Sequence, residues 1–189
     1  LAGNGLDASD NPTGINIATW PVKGVYMPDA IDSYTVGGQT YVVYANEGDA
    51  REWGTFVEPR RIGNAAYLLD PTVFPNAATL KQNANLGRLN ATIYSGDTDN
   101  DGDFDEIHVF GSRSFTILDA NGVVVYDSGD DFEQITSAAL AANFNCNNSA
   151  NGTFDTRSDD KGPEPEAVAL GKVGSQTYAF IGLERIGGV

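Results

Sequence analysis

One fourteen-residue segment occurs twice in the chain. Pro28-Asp-Ala-Ile-Asp-Ser-Tyr-Thr-Val-Gly-Gly-Gln-Thr-Tyr41 aligns without a gap on Pro165-Glu-Ala-Val-Ala-Leu-Gly-Lys-Val-Gly-Ser-Gln-Thr-Tyr178, at a constant offset of 137. The register continues until Glu47 meets Glu184. Each copy reads as a hairpin: a first strand, a turn at Gly37-Gly38 or Gly174-Ser175, then a strongly apolar second strand. Two ordinary hairpins could match by coincidence. The identities at Pro, Ala, Val, Gly, Gln, Thr, Tyr and Glu in fixed register weigh against that. A matched pair this far apart, with a different unit between, points to repeated sheets around an axis.

The interval between the copies carries the same two-residue period. Strands are expected over 88–94, 106–111, 114–119 and 123–127, separated by an Asp-rich loop, a Gly111-Ser-Arg113 corner and an Ala120-Asn-Gly122 turn. Asn-Gly between alternating apolar runs is a strong hairpin signal. Four antiparallel strands in about 40 residues is the size of one propeller blade. Helical signal is confined to 136–144 and 75–80, and the Asn-, Ser-, Asp- and Gly-rich stretch 144–162 reads as a long surface loop. The expected fold is therefore all-β, a partial β-propeller of roughly four four-stranded antiparallel blades with short helices in its loops. Residues 1–189 read as a single fragment of a larger propeller, and Leu1 in place of Met agrees with that expectation.

Composition narrows the partners. Hydrophobic residues make up 41% of 189, enough for a packed core, and no apolar run approaches the length of a transmembrane helix. Against 11 Lys and Arg stand 26 Asp and Glu, a net charge of −15. Such a surface repels nucleic acid and anionic membranes and favours cations. Cys146 is alone, so neither an intrachain disulfide nor a Cys-based zinc site is available. His108 is the one histidine, which gives little support to a His-centred triad. Sequons at Asn90, Asn147 and Asn151 hint at surface loops.

Three acidic groupings carry candidate chemistry. In Asp97-Thr-Asp-Asn-Asp-Gly-Asp-Phe-Asp105, carboxylates recur at every second position and Gly102 permits a sharp turn. Ca²⁺ takes six to eight hard oxygen ligands, which such a loop supplies. Asp97, Asp99 and Asp101 are expected to give side-chain oxygens, Asp103 a backbone carbonyl, and Asp105 a side-chain or water-mediated contact. His108 stands where an EF-hand has its bidentate Glu, so this is a different kind of calcium loop; a solvated acidic turn is the alternative. The repeat supplies the second grouping. Asp29 and Glu166 open the first strands, Glu47 and Glu184 close the second ones, and Arg51 and Arg185 follow. At one mouth of a propeller these acids would ring a cation or a polar substrate, or simply form salt bridges. The third is Asp159-Asp-Lys-Gly-Pro-Glu-Pro-Glu166, either a second metal site or a rigid connection. No phosphate-cradling loop and no nucleophile elbow is present.

Longer motifs carry a resemblance. Tyr26–Ile31, Ala45–Arg51, Asn85–Leu89, Gly96–Glu106, Gly111–Phe115, Asp127–Glu133, Arg157–Glu166 and Phe180–Gly188 resemble the bacterial choice-of-anchor I domain. That family is similar to animal mesenchyme-specific cell-surface glycoproteins and to esterase-like phytase domains. The resemblance implies a secreted or surface-anchored β-propeller longer than this chain. The leading expectation is a calcium-binding piece of an extracellular propeller with a binding or scaffold role, its partners being calcium ions and the rest of the propeller or neighbouring chains. The alternative is a metal-dependent phosphoesterase with Asp29, Glu47, Glu166, Glu184 and Arg185 at the channel mouth, where divalent ions would activate water.

Overall fold

A computed structural model describes residues 3–150 and 152–189. The strands are β1 (Leu6–Asp7), β2 (Ile17–Ala18), β3 (Val22–Val25), β4 (Ile31–Val36), β5 (Gln39–Ala45), β6 (Glu52–Trp53), β7 (Phe56–Val57), β8 (Pro59–Arg61), β9 (Asn90–Thr92), β10 (Ile107–Phe110), β11 (Phe115–Asp119), β12 (Val124–Asp127), β13 (Pro165–Val173) and β14 (Gln176–Leu183). Two short α-helices, α1 (Ala77–Leu80) and α2 (Asp131–Ala139), interrupt them. The protein is all-β with few helical turns, as its periodicity requires.

The sequence repeat is a structural repeat. In β4–β5 Tyr34 lies opposite Tyr41 and Val36 opposite Gln39. In β13–β14 Gly171 lies opposite Tyr178 and Val173 opposite Gln176, the same pairs shifted by the repeat. Even a side-chain bond recurs: the Tyr41 hydroxyl donates to Gln39 and the Tyr178 hydroxyl to Gln176, each at 2.9 Å. Gly37 and Gly38 both have positive φ (59° and 78°), as a type I′ turn demands; in the second copy Gly174 (63°) takes the glycine-first pattern of type II′. The copies also pack together. Val43, Ala45 and Ile181 are buried as one cluster, with Val168, Leu170, Phe115 and Ile117 against it.

The four strands between the copies do not form one blade. They are divided between two sheets. β11 and β12 join the first hairpin in the antiparallel order β12-β11-β5-β4, while β9 and β10 belong to a second sheet, β3-β10-β9-β8. In that second sheet β3 runs parallel to β10, so it is mixed where an antiparallel blade was expected. The division occurs at the Gly111-Ser-Arg113 corner. Gly111 and Arg113 have φ of 66° and 57°, which swings the chain out of one sheet. A Cβ on Gly48 would lie 1.9 Å from the Gly111 nitrogen, so the corner passes directly against the end of β5. Asn46 then fastens β11, donating to the Ser114 and Thr116 hydroxyls at 3.2 and 2.8 Å. The larger core lies under the mixed sheet and includes Ile62, Tyr67, Leu86, Leu89 and Ile107.

The stretch 144–162 is a correction too. It was expected on the surface, yet Phe144, Asn145, Asp155, Ser158, Asp159 and Lys161 are buried. A polar segment survives inside because most of its groups are paired, Asn145 Oδ1 being an exception. The Arg113 guanidinium binds Glu133 of α2 at 2.6 Å and the carbonyls of Asp7, Ser158 and Asp160 at 2.7, 2.8 and 3.0 Å. Asn145 donates to the same Glu133 at 2.7 Å. That buried anchor draws α2 back to Asp131, ahead of the helix start expected at 136. Asn90 lies in β9, not in a loop, and Asn151 falls outside the described residues.

Candidate functional site

The acidic loop joins β9 to β10 and is curled by its own backbone. Asp97 accepts the N–H groups of Asn100 (2.7 Å) and Gly102 (3.2 Å), and Asp105 accepts the N–H and hydroxyl of Thr98 at 2.7 and 2.6 Å. Asn100 and Gly102 take positive φ (66° and 103°), residue types that tolerate it. Oxygens of Asp97, Asp99 and Asp105 come within 4.8 Å of one another, and so do oxygens of Asp70, Asp103 and Asp105. Asp105 is common to both triplets.

Two placements differ from the sequence reading. Asp101 stands outside both triplets, its carboxylate accepting the Asp103 N–H at 3.2 Å. Asp103, expected to offer its carbonyl, brings its carboxylate. Asp70 was missed. It is far from the loop in sequence and is brought in by its own N–H, which donates to the Phe104 carbonyl at 3.1 Å. The only local signal was Asp70-Pro-Thr, an Asx-turn sequence that also explains the downward shift of Asp70: Thr72 bonds its carboxylate.

The charge balance of the loop is unfavourable by itself. Desolvation and the neighbouring aspartates push Asp99 and Asp103 above the usual carboxylate range. Oδ1 of Asp103 is buried without a hydrogen-bond partner among the described residues. An all-oxygen, all-anionic donor set with a spare buried oxygen fits a hard divalent cation such as Ca²⁺ better than a soft one.

The acids placed by the repeat are partly brought together. Glu47 and Glu184 meet, joined by Glu164 from the third acidic segment, with oxygens within 4.8 Å. The Asp29 N–H donates to the Ala45 carbonyl at 3.1 Å, but the carboxylates of Asp29 and Glu166 make no hydrogen bond or ion pair among the described residues. Arg51 turns away to Glu58, at 2.8 Å. The space among the three glutamates is already held by cations. Lys161 Nζ lies 2.7 Å from Glu47 and 3.0 Å from Glu164. Arg185 reaches Glu164 at 3.0 Å and Glu184 at 3.1 Å, and Arg157 also pairs with Glu164. Burial works against the Lys161 charge, yet Glu47 and Glu164 prevail and push it up to about 12. Burial would raise Glu164, but Arg157 and Lys161 hold it below its ordinary value. This hub ties the second hairpin and the buried loop to the end of β5.

A family model for the choice-of-anchor I domain matches residues 1–189. The chain belongs to the choice-of-anchor I family. The domain is 33% identical to Gigasin-3a of Magallana gigas over 114 residues, 58% of this chain and 40% of that protein. It is 27% identical to the mesenchyme-specific cell surface glycoprotein of Strongylocentrotus purpuratus over 214 positions, 96% of this chain and 27% of that protein. The choice-of-anchor I chain thus spans less than half the length of either relative. No solved structure matches it. Among its described residues no helix is long and apolar enough to cross a membrane.

Proposed function

We propose that this choice-of-anchor I domain is a calcium-binding unit of an extracellular or cell-surface β-propeller, serving as a scaffold or binding module. The observation that carries the reading is the paired carboxylate triplet centred on Asp105, with its crowded charge and spare Asp103 oxygen. Asp97, Asp99, Asp105, Asp70 and Asp103 would hold the ion, which would replace carboxylate repulsion by attraction. The extracellular setting is drawn from the family and from the sea urchin relative, a cell surface glycoprotein. The repeated hairpin and the four-stranded antiparallel sheet β12-β11-β5-β4 support the propeller reading.

The phosphoesterase alternative draws no support from the Glu47–Glu164–Glu184 hub, because Lys161, Arg157 and Arg185 already neutralise those carboxylates. Calorimetric titration of chelator-treated protein with Ca²⁺ tests the leading reading. Heat with a stoichiometry of one or two ions and a raised melting temperature is expected. No heat and an unchanged melting temperature would overturn it.

A further inference from the structure

The single histidine lies between a hydroxyl and a carboxylate. His108 Nδ1 is 2.7 Å from Ser95 Oγ, and His108 Nε2 is 2.9 Å from Glu106 Oε2. Lys23 Nζ holds the other oxygen of Glu106 at 2.5 Å. The arrangement follows from the strands. Ile107 and Val109 of β10 point into the core, so Glu106 and His108, two residues apart, share the opposite face. Lys23 is the register partner of His108 on the parallel strand β3. Ser95 follows β9, the antiparallel partner of β10.

In a neutral His108 the partners select the tautomer. An ionised Glu106 only accepts, so Nε2 carries the proton, and Nδ1 is left to accept from the Ser95 hydroxyl. That is the connectivity of a nucleophile, a base and its orienting carboxylate, with the two ring nitrogens in exchanged roles.

Ser95 also stands at the junction of two clefts. One, of about 230 Å³ and mostly apolar, has Val25, Met27, Val109 and Phe110 in its wall, together with the Arg51–Glu58 ion pair. The other is open and polar, with Arg60, Asp97 and Asn100 in its wall. The backbone N–H groups of Ser95 and Gly96 take no part in the backbone pairing of the described residues, which leaves two donors beside the hydroxyl.

We propose that Ser95, His108 and Glu106 form a hydrolytic site for carboxylic esters with a short, uncharged acyl group. Ser95 Oγ attacks the ester carbonyl carbon and its proton passes to His108 Nδ1. The bond to the alkoxy oxygen then breaks, and that oxygen leaves as the alcohol with the proton from Nδ1. Water, deprotonated by the same nitrogen, attacks the acyl carbon. The Ser95 ester bond breaks, the acid departs, and the proton returns to Ser95. The apolar cleft takes the acyl chain and the polar cleft the alcohol. Glu106 is a positioning residue that fixes the His108 tautomer.

The test uses the purified chain, an alkyl fluorophosphonate probe and p-nitrophenyl butyrate. One phosphonate adduct, mapped to Ser95, and ester hydrolysis above background are expected. S95A, at an exposed position, should abolish both, and H108Q should slow hydrolysis at least 100-fold. E106Q should lower kcat with KM little changed, and E106D should restore part of it. No adduct on Ser95, or hydrolysis unaltered in S95A, would overturn the proposal. Running each assay with chelator and with Ca²⁺ separates it from the calcium reading: Ser95 labelling in a protein that shows no calcium heat sustains the hydrolytic site alone.

Discussion

Glu164 is fully buried and faces three cations, Arg157, Lys161 and Arg185. Its net value is weakly stated by the pair energies, because desolvation offsets much of the attraction; removing the charge leaves three cations around a neutral amide. E164Q is expected to lose about 3 kcal/mol in urea unfolding at pH 7. The sign of the pH effect follows from its lowered pKa: the stabilisation is present above the ordinary glutamate range and is lost as pH falls through the folded value. Asp7 behaves oppositely. Burial raises it to about 6, although the N–H groups of Asn16 and Ser9 bond its carboxylate. Its favourable contribution is full below its unfolded pKa and is lost as pH rises through about 6. Between pH 4 and pH 7 the stability of D7N should therefore gain on wild type by on the order of 2 kcal/mol. A constant difference across that range would remove Asp7 from the pH response. Neither behaviour is legible in sequence: Glu164 is one of several acids in its segment and Asp7 one of many in the chain, and only burial and the cations around Glu164 set them apart.

At the level of elements, the hairpins and the acidic loop were the most readable parts. Glycine at turn positions fixes the backbone locally, and two-residue alternation fixes the pairing, so the register of β4–β5 predicts that of β13–β14. The loop carboxylates were equally plain, but their grouping was not. Asp105 belongs to both triplets and Asp101 to neither. D105N is accordingly expected to weaken Ca²⁺ binding at least tenfold, while D101N changes it less than threefold, by calorimetry. Equal losses in the two variants would assign the ion to the linear spacing of the loop instead of the triplets. D70N should fall between them, as Asp70 serves one triplet only.

For the whole molecule, calcium binding as proposed would be linked to folding. A cation that binds only the native state stabilises it by about 2.7 kcal/mol at one hundred times its Kd. In a domain of this size that raises the melting temperature by about 5–10 °C. Differential scanning calorimetry in chelator and at saturating Ca²⁺ measures it, and coincident transitions would refute the linkage. Local residue patterns alone determined the all-β class, the repeated hairpins with their turns, and the oxygen-rich loop, because alternation, glycine torsions and closely spaced carboxylates act over a few residues. Only the tertiary structure decided that β10 and β11 part company at Gly111, that Asp70 joins the loop, that Lys161 fills the acid cluster, and that Ser95, His108 and Glu106 meet. Those outcomes depend on which distant surfaces exclude water together, and strand period and charge spacing carry no information about that choice.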